Sequence, residues 1–507
     1  MAHRSDETTP LWQTPPSDEL PPPLSADVRA DVCVVGAGIA GLSTAYLLAR
    51  AGKRVAVVET GPTVGLGETG RSTAHCASAV DDRFTVLENL FGAEGARLVA
   101  HSHAAAVDTI ERIAAEEAIA CGFTRLDGWL FNPPEGGIDL AAEMDAAARA
   151  GLAVEHATQA PITHFATGPA LRFPHQGRID PFAYVKGLAQ AIQRLGGAIH
   201  TATHVASVEG GRPARVSTVQ GWHVLADAVV VATNVPINDR VALHGKMAPF
   251  RTYALAAAVD PAVADDALYW DTADPYHYVR FAAAPDGAPL LVVGGEDHRT
   301  GHPAHGHERW NRLEDWARAR FPDLGEVRWR WSGQIMEPVD RIAFIGRNPN
   351  DEDNVFVACG DSGNGITHGT IAGLLIRDLI LGRDNPWERL YAPARVTLKA
   401  ASGYADTNLH VAEHYAEWLT SGDVDDVRDI PPESGAVLRS GLSKVAVYRD
   451  EAGVIHKRSA VCPHLKCIVA WNDAEKSWDC ACHGSRFDRF GRVVNGPSNQ
   501  PLSPIEE

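Results

Sequence analysis

No run of the ~18 consecutive apolar residues needed for a membrane span occurs in the 507-residue chain; the most apolar stretch, residues 226–232, is strand length. The proline-bearing start, residues 1–23, lacks a basic n-region, an apolar h-region and a twin-arginine pair, so a soluble cytoplasmic protein is expected. Positive charge is scarce too. Lys and Arg number 46 against 64 Asp and Glu, a net charge of −18 that disfavours nucleic acid and anionic lipid as partners. Eight cysteines are too few for a disulfide scaffold. A second GxGxxG is also missing, which argues against a separate NAD(P)H-binding Rossmann domain beside the one described below.

What remains is an ordinary globular composition, 45% hydrophobic and 22% charged, long enough for two or three domains at ~150 residues each. The cysteines are unevenly placed: Cys33, Cys76, Cys121 and Cys359 are scattered, while Cys462, Cys467, Cys480 and Cys482 crowd together. Strands mixed with helical segments run to about residue 395, followed by a helical stretch at 403–420 and an acidic, proline-bearing linker at 421–434. Short, turn-punctuated β segments follow, as in a small all-β domain.

Gly36, Gly38 and Gly41 form GxGxxG between an apolar run at 32–35 and a helical stretch from Gly38 to Ala51, and Glu59 ends the next apolar run. Gly36 permits the tight turn, Gly38 lets backbone approach a pyrophosphate, and Gly41 allows close helix packing. The helix start, with Ile39 and Ala40, offers free N–H groups to phosphate, and Glu59 would accept from ribose hydroxyls. Two later stretches, GETGRSTAHCAS at 67–78 and VFVACGDSGNGITHGTIAGLLIRDLI at 355–380, resemble parts of the D-amino-acid-oxidase-like flavoprotein superfamily, a resemblance spanning roughly residues 30–395. It implies FAD as the dinucleotide. It places Arg71, Ser72 and Thr73 in a loop over the flavin, Val205 at the adenine, Thr233 on the strand returning to the FAD domain, and Gly363, Asn364, Gly365, Ile366 and Thr367 near the ring.

The fold class implied is an α/β FAD-binding domain (Rossmann-like, GR2 type) interleaved with an α+β substrate domain. After a tail at 1–30, the oxidoreductase unit occupies 31–400, with FAD segments near 31–105, 170–245 and 331–400 and substrate segments near 106–169 and 246–330. In the last of these, Tyr276, Tyr278 and Arg280 alternate, so on a strand they share one face. Aromatic walls with a carboxylate-binding arginine suit an amino-acid-like substrate, while a half-solvated strand with a surface arginine is the plainer alternative. Trp331, Gln334 and Asp340 are further candidates, and His298, His302, His305 and His307 read as a solvated loop rather than a metal site.

CPHLKC at 462–467 and CACHGS at 480–485 give C-x-H, fifteen residues, then C-x-x-H. Cys462 and Cys480 could hold one iron of a [2Fe–2S] cluster and His464 and His483 the other. Tetrahedral zinc also accepts two cysteines and two histidines, although zinc fingers order them C-C then H-H. The motif, with RFDRFGRVVNGP at 486–497, resembles the ligand boxes and proline loop of Rieske proteins, which implies the cluster and a Rieske domain at 435–507 after a helix and linker at 401–434. By the same resemblance Cys467 and Cys482 form a disulfide between the ligand loops, with a pair of buried thiols as the alternative. Ser485 matches a serine that donates to a bridging sulfide, and Phe487 stands where many high-potential members carry tyrosine, so a potential below the top of the Rieske range is expected.

The whole chain resembles a bacterial group of FAD-dependent oxidoreductases with a C-terminal Rieske domain. That implies oxidation of a small amine or amino acid at FAD, with electrons leaving through the cluster to an external acceptor, a redox protein or a quinone. Reverse flow, in which a partner feeds the cluster, and an electron shuttle without small-molecule turnover are the alternatives.

Overall fold

A run of valines begins the first domain. Val28–Val35 is a strand whose last four residues are all buried, Gly36 turns the chain at φ +102°, and the helix Ile39–Arg50 leads into the strand Val55–Val58. Only β-branched side chains packed on both faces favour such a short, continuous apolar strand, and parallel pairing is its usual outcome. The computed structural model describes residues 8–13, 21–238, 242–301 and 306–505. The first sheet runs in the order Phe344–Arg347, Val355–Cys359, His223–Val231, Val28–Val35, Val55–Val58, Ala198–His200, parallel except for the first pair. The helix Gly365–Ile380 crosses the first helix at two glycines: a Cβ on Gly369 would come within 2.6 Å of Ile39, and one on Gly373 within 2.9 Å of Ser43.

The second sheet has nine strands and is mostly antiparallel, built around Met247–Ala258 with Val327–Pro338 on one side and Pro289–Arg299 on the other. Two sequence-based boundaries shift. Ala170–Arg178, expected in an FAD segment, pairs with Thr124–Phe131 and lies in the second sheet, as does His75–Cys76. Val327–Pro338 runs through the expected boundary at 330 without a break, because its pairing with Met247–Ala258 continues to Pro338. His298 is corrected as well: it ends the strand Pro289–Arg299 with its ring stacked on Tyr253, since the β pairing extends further than the polar sequence suggests. His307 lies in the first turn of the helix Gly306–Arg320, and His302 and His305 lie outside the described residues.

The C-terminal domain has a three-stranded sheet, Ser434–Ser440 to Ile455–Ser459, and a four-stranded one, Val469–Asn472 to Val493–Asn495. It is joined to the rest through a buried polar seam. Glu475 accepts from Arg71 at 2.8 Å, Arg251 at 3.3 Å, Thr8 at 2.7 Å and Ser332, linking four parts of the chain. The tail joins the same seam: Leu11 and Trp12 are buried with Phe182 and Trp331.

Candidate functional site

One cavity of about 350 Å³ runs between the two sheets and is lined by all three domains. At one end the glycine turn shapes it. A Cβ on Gly36 would stand 2.4 Å from Ala232 O and one on Gly41 only 1.9 Å from Gly36 O, so neither position tolerates a side chain. Glu59, at the end of its strand, accepts from Ala37 N at 2.7 Å and Gly61 N at 2.7 Å. Burial raises its pKa and the backbone N–H groups oppose that rise. Gly36, Gly38, Ile39, Ala40, Val205 and Thr233 line the same cavity. The helix Ile39–Arg50 presents its N-terminus there; its N-cap Gly38 has no side chain to cap it and Ile39 N donates to Thr69 Oγ1 at 3.0 Å, and the positive dipole end of the helix faces the phosphate position.

Further along, Arg71, Ser72, Thr73, Gly363, Asn364, Gly365 and Ile366 line the cavity. Thr367 is buried behind them and donates to Asn364 O at 3.1 Å. A cradle of this shape, closed by glycines at both helix starts and carrying an acid at the ribose position, fits FAD. Asp81 Oδ2 and Tyr276 Oη approach the Cβ position of Gly363 to 2.9 and 4.0 Å. Tyr276, Tyr278 and Trp270 line this region, and Tyr278 shares a 3.0 Å hydrogen bond with Thr252. Burial pushes both tyrosines above their ordinary pKa, so their hydroxyls stay protonated. Burial also pushes Asp81 up to about 6, against the pull of Arg83.

Arg280 sits elsewhere. Two residues further along the strand, its guanidinium donates to Ala74 O at 2.7 Å and Ile179 O at 3.0 Å beneath the Trp12 ring, and it does not line the cavity. The two carbonyls engage both terminal nitrogens of the buried guanidinium, while its Nε has no hydrogen-bond partner. Trp331 donates to Arg71 O at 2.8 Å, and Asp340 pairs with Arg395 at 2.7 Å; both act as supports outside the cavity.

The second donor set lies in the C-terminal domain. Cys462 and Cys480 are buried free thiols, and the rings of His464 and His483 meet at 5.1 Å between centroids. Two thiols and two imidazoles on two loops fit a [2Fe–2S] cluster with mixed ligation. Cys467 and Cys482 are joined by a disulfide with Cα atoms 6.6 Å apart, tying one ligand loop to the other. Ser485 is fully buried and its hydroxyl accepts from Ser498 N at 3.0 Å; Phe487 is fully buried too.

Sequence reasoning missed how the two sets meet. Gln334 lines the cavity and donates to Gly484 O at 2.9 Å, one residue beyond His483. His244 places its ring 4.7 Å from that of His464 and 5.8 Å from that of His483, while its Nε2 donates to Pro236 O at 2.9 Å. Residues 493–496, 498 and 499 of the C-terminal domain complete the cavity wall, and Asn495 donates to Glu68 at 3.0 Å. No local signal marks His244, a single histidine in a short turn.

Comparison with known proteins agrees with FAD and a [2Fe–2S] cluster as the cofactors. Residues 31–379 match the family model "FAD dependent oxidoreductase" and residues 417–506 match "Rieske [2Fe-2S] domain". A Bacillus subtilis (strain 168) protein, YhfW, named as a Rieske 2Fe-2S iron-sulfur protein, is 29% identical over 512 residues, covering 100% of this chain and 99% of its own. The gamma-glutamylputrescine oxidoreductase of Escherichia coli (strain K12) is 26% identical over 71% of this chain and 85% of its own. Among solved structures, glycine oxidase from Geobacillus kaustophilus superposes with a TM-score of 0.60 at 19% identity, over 73% of this chain and 99% of that one, which shows a shared fold.

Proposed function

Because the chain belongs to the FAD-dependent oxidoreductase family and carries a Rieske domain, we propose that it is a dehydrogenase of a small amine or amino acid whose electrons pass to the cluster and on to an external acceptor. When bound, FAD takes up an electron pair as hydride and the cluster carries single electrons. The observation that carries the proposal is the joint wall: Gln334 reaches from the cavity to the loop of His483, so both donor sets lie against one short stretch of protein.

The protein's own part is positioning. Tyr276, Tyr278 and Trp270 supply apolar walls beside Gly363, and the tyrosine hydroxyls remain hydrogen-bond donors. The Asp81 carboxyl, close to Tyr276 at Gly363, suits the nitrogen end of an amine. A carboxylate clamp by Arg280 has no support, since its guanidinium is held by two carbonyls. The name of the Escherichia coli relative specifies an amine-bearing compound, which supports the same class. Hydride transfer from a neutral amine needs orientation more than a side-chain base. Anaerobic mixing with amines, amino acids and hydroxy acids tests the donor class: bleaching of the flavin by members of the first two groups is expected, and bleaching by hydroxy acids alone contradicts it.

A further inference from the structure

The cavity wall carries more negative charge than positive. Among the described residues that line it, Glu59, Glu68, Asp81 and Asp361 are acidic and Arg71 is the one arginine or lysine, already held by Glu475 at 2.8 Å. Burial keeps the lining histidines His75 and His368 neutral, with pKa values down to about 3 and about 4. Three of the acids are accounted for by their neighbours. Glu59 accepts from two backbone N–H groups at the ribose position, Glu68 accepts from Gln334 N at 2.7 Å and Asn495 Nδ2 at 3.0 Å, and Asp81 has Arg83 pulling its pKa down against burial.

Asp361 is different. It follows the strand Val355–Cys359; its Oδ1 accepts from Met336 N at 3.0 Å, and its Oδ2 stands 2.9 Å from the Cβ position of Gly365, the first residue of the helix Gly365–Ile380. The backbone fixes it there, since Asn364 N and His368 Nδ1 both donate to Asp361 O at 2.8 Å. Burial and the nearby Glu68 push its pKa up to about 6 against backbone N–H groups alone, so at neutral pH it is a carboxylate with no cation beside it among the described residues. A buried charge needs compensation, and the compensation at hand is the positive end of the helix, which the side chain of its N-cap Asn364 does not cap. Gly363, Asn364, Gly365 and Ile366 of the same stretch line the cavity where the flavin ring fits, together with Tyr276 and Tyr278.

We propose that Asp361 sets the electron affinity of the flavin: its carboxylate cancels the positive end of the helix and so disfavours negative charge on the ring. Charge near the ring nitrogens is one of the means by which a protein tunes a flavin. Two electrons and one proton turn the neutral oxidised ring into an anion, so a fixed carboxylate nearby makes the reduced form a stronger donor. Passing the two electrons singly to the cluster, each going on to the external acceptor, restores the neutral ring and releases the proton. That use of a low potential rests on the proposed function, whereas the tuning itself needs only bound FAD.

The test uses the holoprotein with no donor amine. Sulfite forms a negatively charged adduct with oxidised flavin, and its affinity is read from the loss of flavin absorbance. Asp361→Asn and Asp361→Ser are each expected to tighten sulfite binding by about tenfold or more. Each should also raise the flavin midpoint potential in a dye-coupled titration by about 30 mV or more, the equivalent of a tenfold shift in a two-electron equilibrium, with the cluster's potential unmoved. Wild-type sulfite affinity and midpoint in both variants, or shifts in the opposite direction, overturn the proposal. Loss of flavin from the variants with an unaltered midpoint in the bound fraction would make Asp361 a ligand of the ribityl chain, and overturns it too. Should neither variant fold, the wild type decides: sulfite binding no tighter than millimolar is expected, and micromolar binding contradicts an uncompensated carboxylate at the ring. Failure of every amine to bleach the flavin would instead count against the proposed function alone.

Discussion

Gly41 shows how little room single residues leave at the dinucleotide end. A methyl group there would sit 1.9 Å from Gly36 O, a backbone atom that cannot swing away. Gly41→Ala is expected to shift the first helix off its strand, at a cost of about 1–3 kcal/mol, and to yield protein that purifies with little bound flavin; the absorbance ratio of flavin to protein measures this. Phe487, buried beside the second ligand loop, brings no hydroxyl to the cluster region. A hydrogen bond to sulfur favours the reduced cluster, so Phe487→Tyr is expected to raise the midpoint potential within the broad Rieske range of about −150 to +300 mV. An unchanged potential in redox titration would remove Phe487 as a determinant.

Between elements, the long helix Phe84–Glu116 and the helix Gly365–Ile380 meet through two buried histidines. His103 and His368 lie with Nε2 atoms 3.3 Å apart, and His368 Nδ1 donates to Asp361 O at 2.8 Å. Burial holds His103 well below the ordinary value of 6.5 and His368 down to about 4. Unfolded, both would titrate near that ordinary value, so below it the unfolded chain binds protons that the folded one does not. Stability therefore falls as pH drops from about 6.5 towards 4, by ~1.4 kcal/mol per pH unit for each histidine. His103→Asn is expected to flatten this acid limb when melting temperature is followed against pH; an unaltered slope would contradict it. The element scale is also where the sequence was most legible. The strand, glycine turn and helix at 28–50 and the two ligand loops each depend on neighbours a few residues away, so their spacing reveals them. The extent of Ala170–Arg178 in the second sheet depends on pairing with a strand about fifty residues earlier, and no local pattern records that choice.

At the scale of the molecule, the seam around Glu475 decides how the domains sit together. Its partners Thr8, Arg71, Arg251 and Ser332 come from separate parts of the chain, which is why neither its charge nor its position signals a role in the sequence. Glu475→Gln would leave two buried guanidinium groups without their carboxylate, a loss of about 3–5 kcal/mol for a broken buried pair. A clearly lowered melting temperature for release of the Rieske domain is expected in calorimetry, and a variant as stable as wild type would show the seam to be dispensable. His244 was hidden for the same reason, and so was the contact of Gln334, itself a candidate from the sequence, with the ligand loop. Each acquires its part only because folding brings residues 244 and 334 against loops more than a hundred positions later. Under the proposed function that contact would make electron transfer an event within one chain, and rapid-freeze paramagnetic resonance tests it most directly. Holoprotein mixed anaerobically with a donor amine should lose its flavin absorbance first and then gain the reduced-cluster signal, at a rate independent of protein concentration. A cluster that stays oxidised after the flavin is bleached, or one that is reduced faster as protein concentration rises, would contradict transfer across the His244 and Gln334 contact.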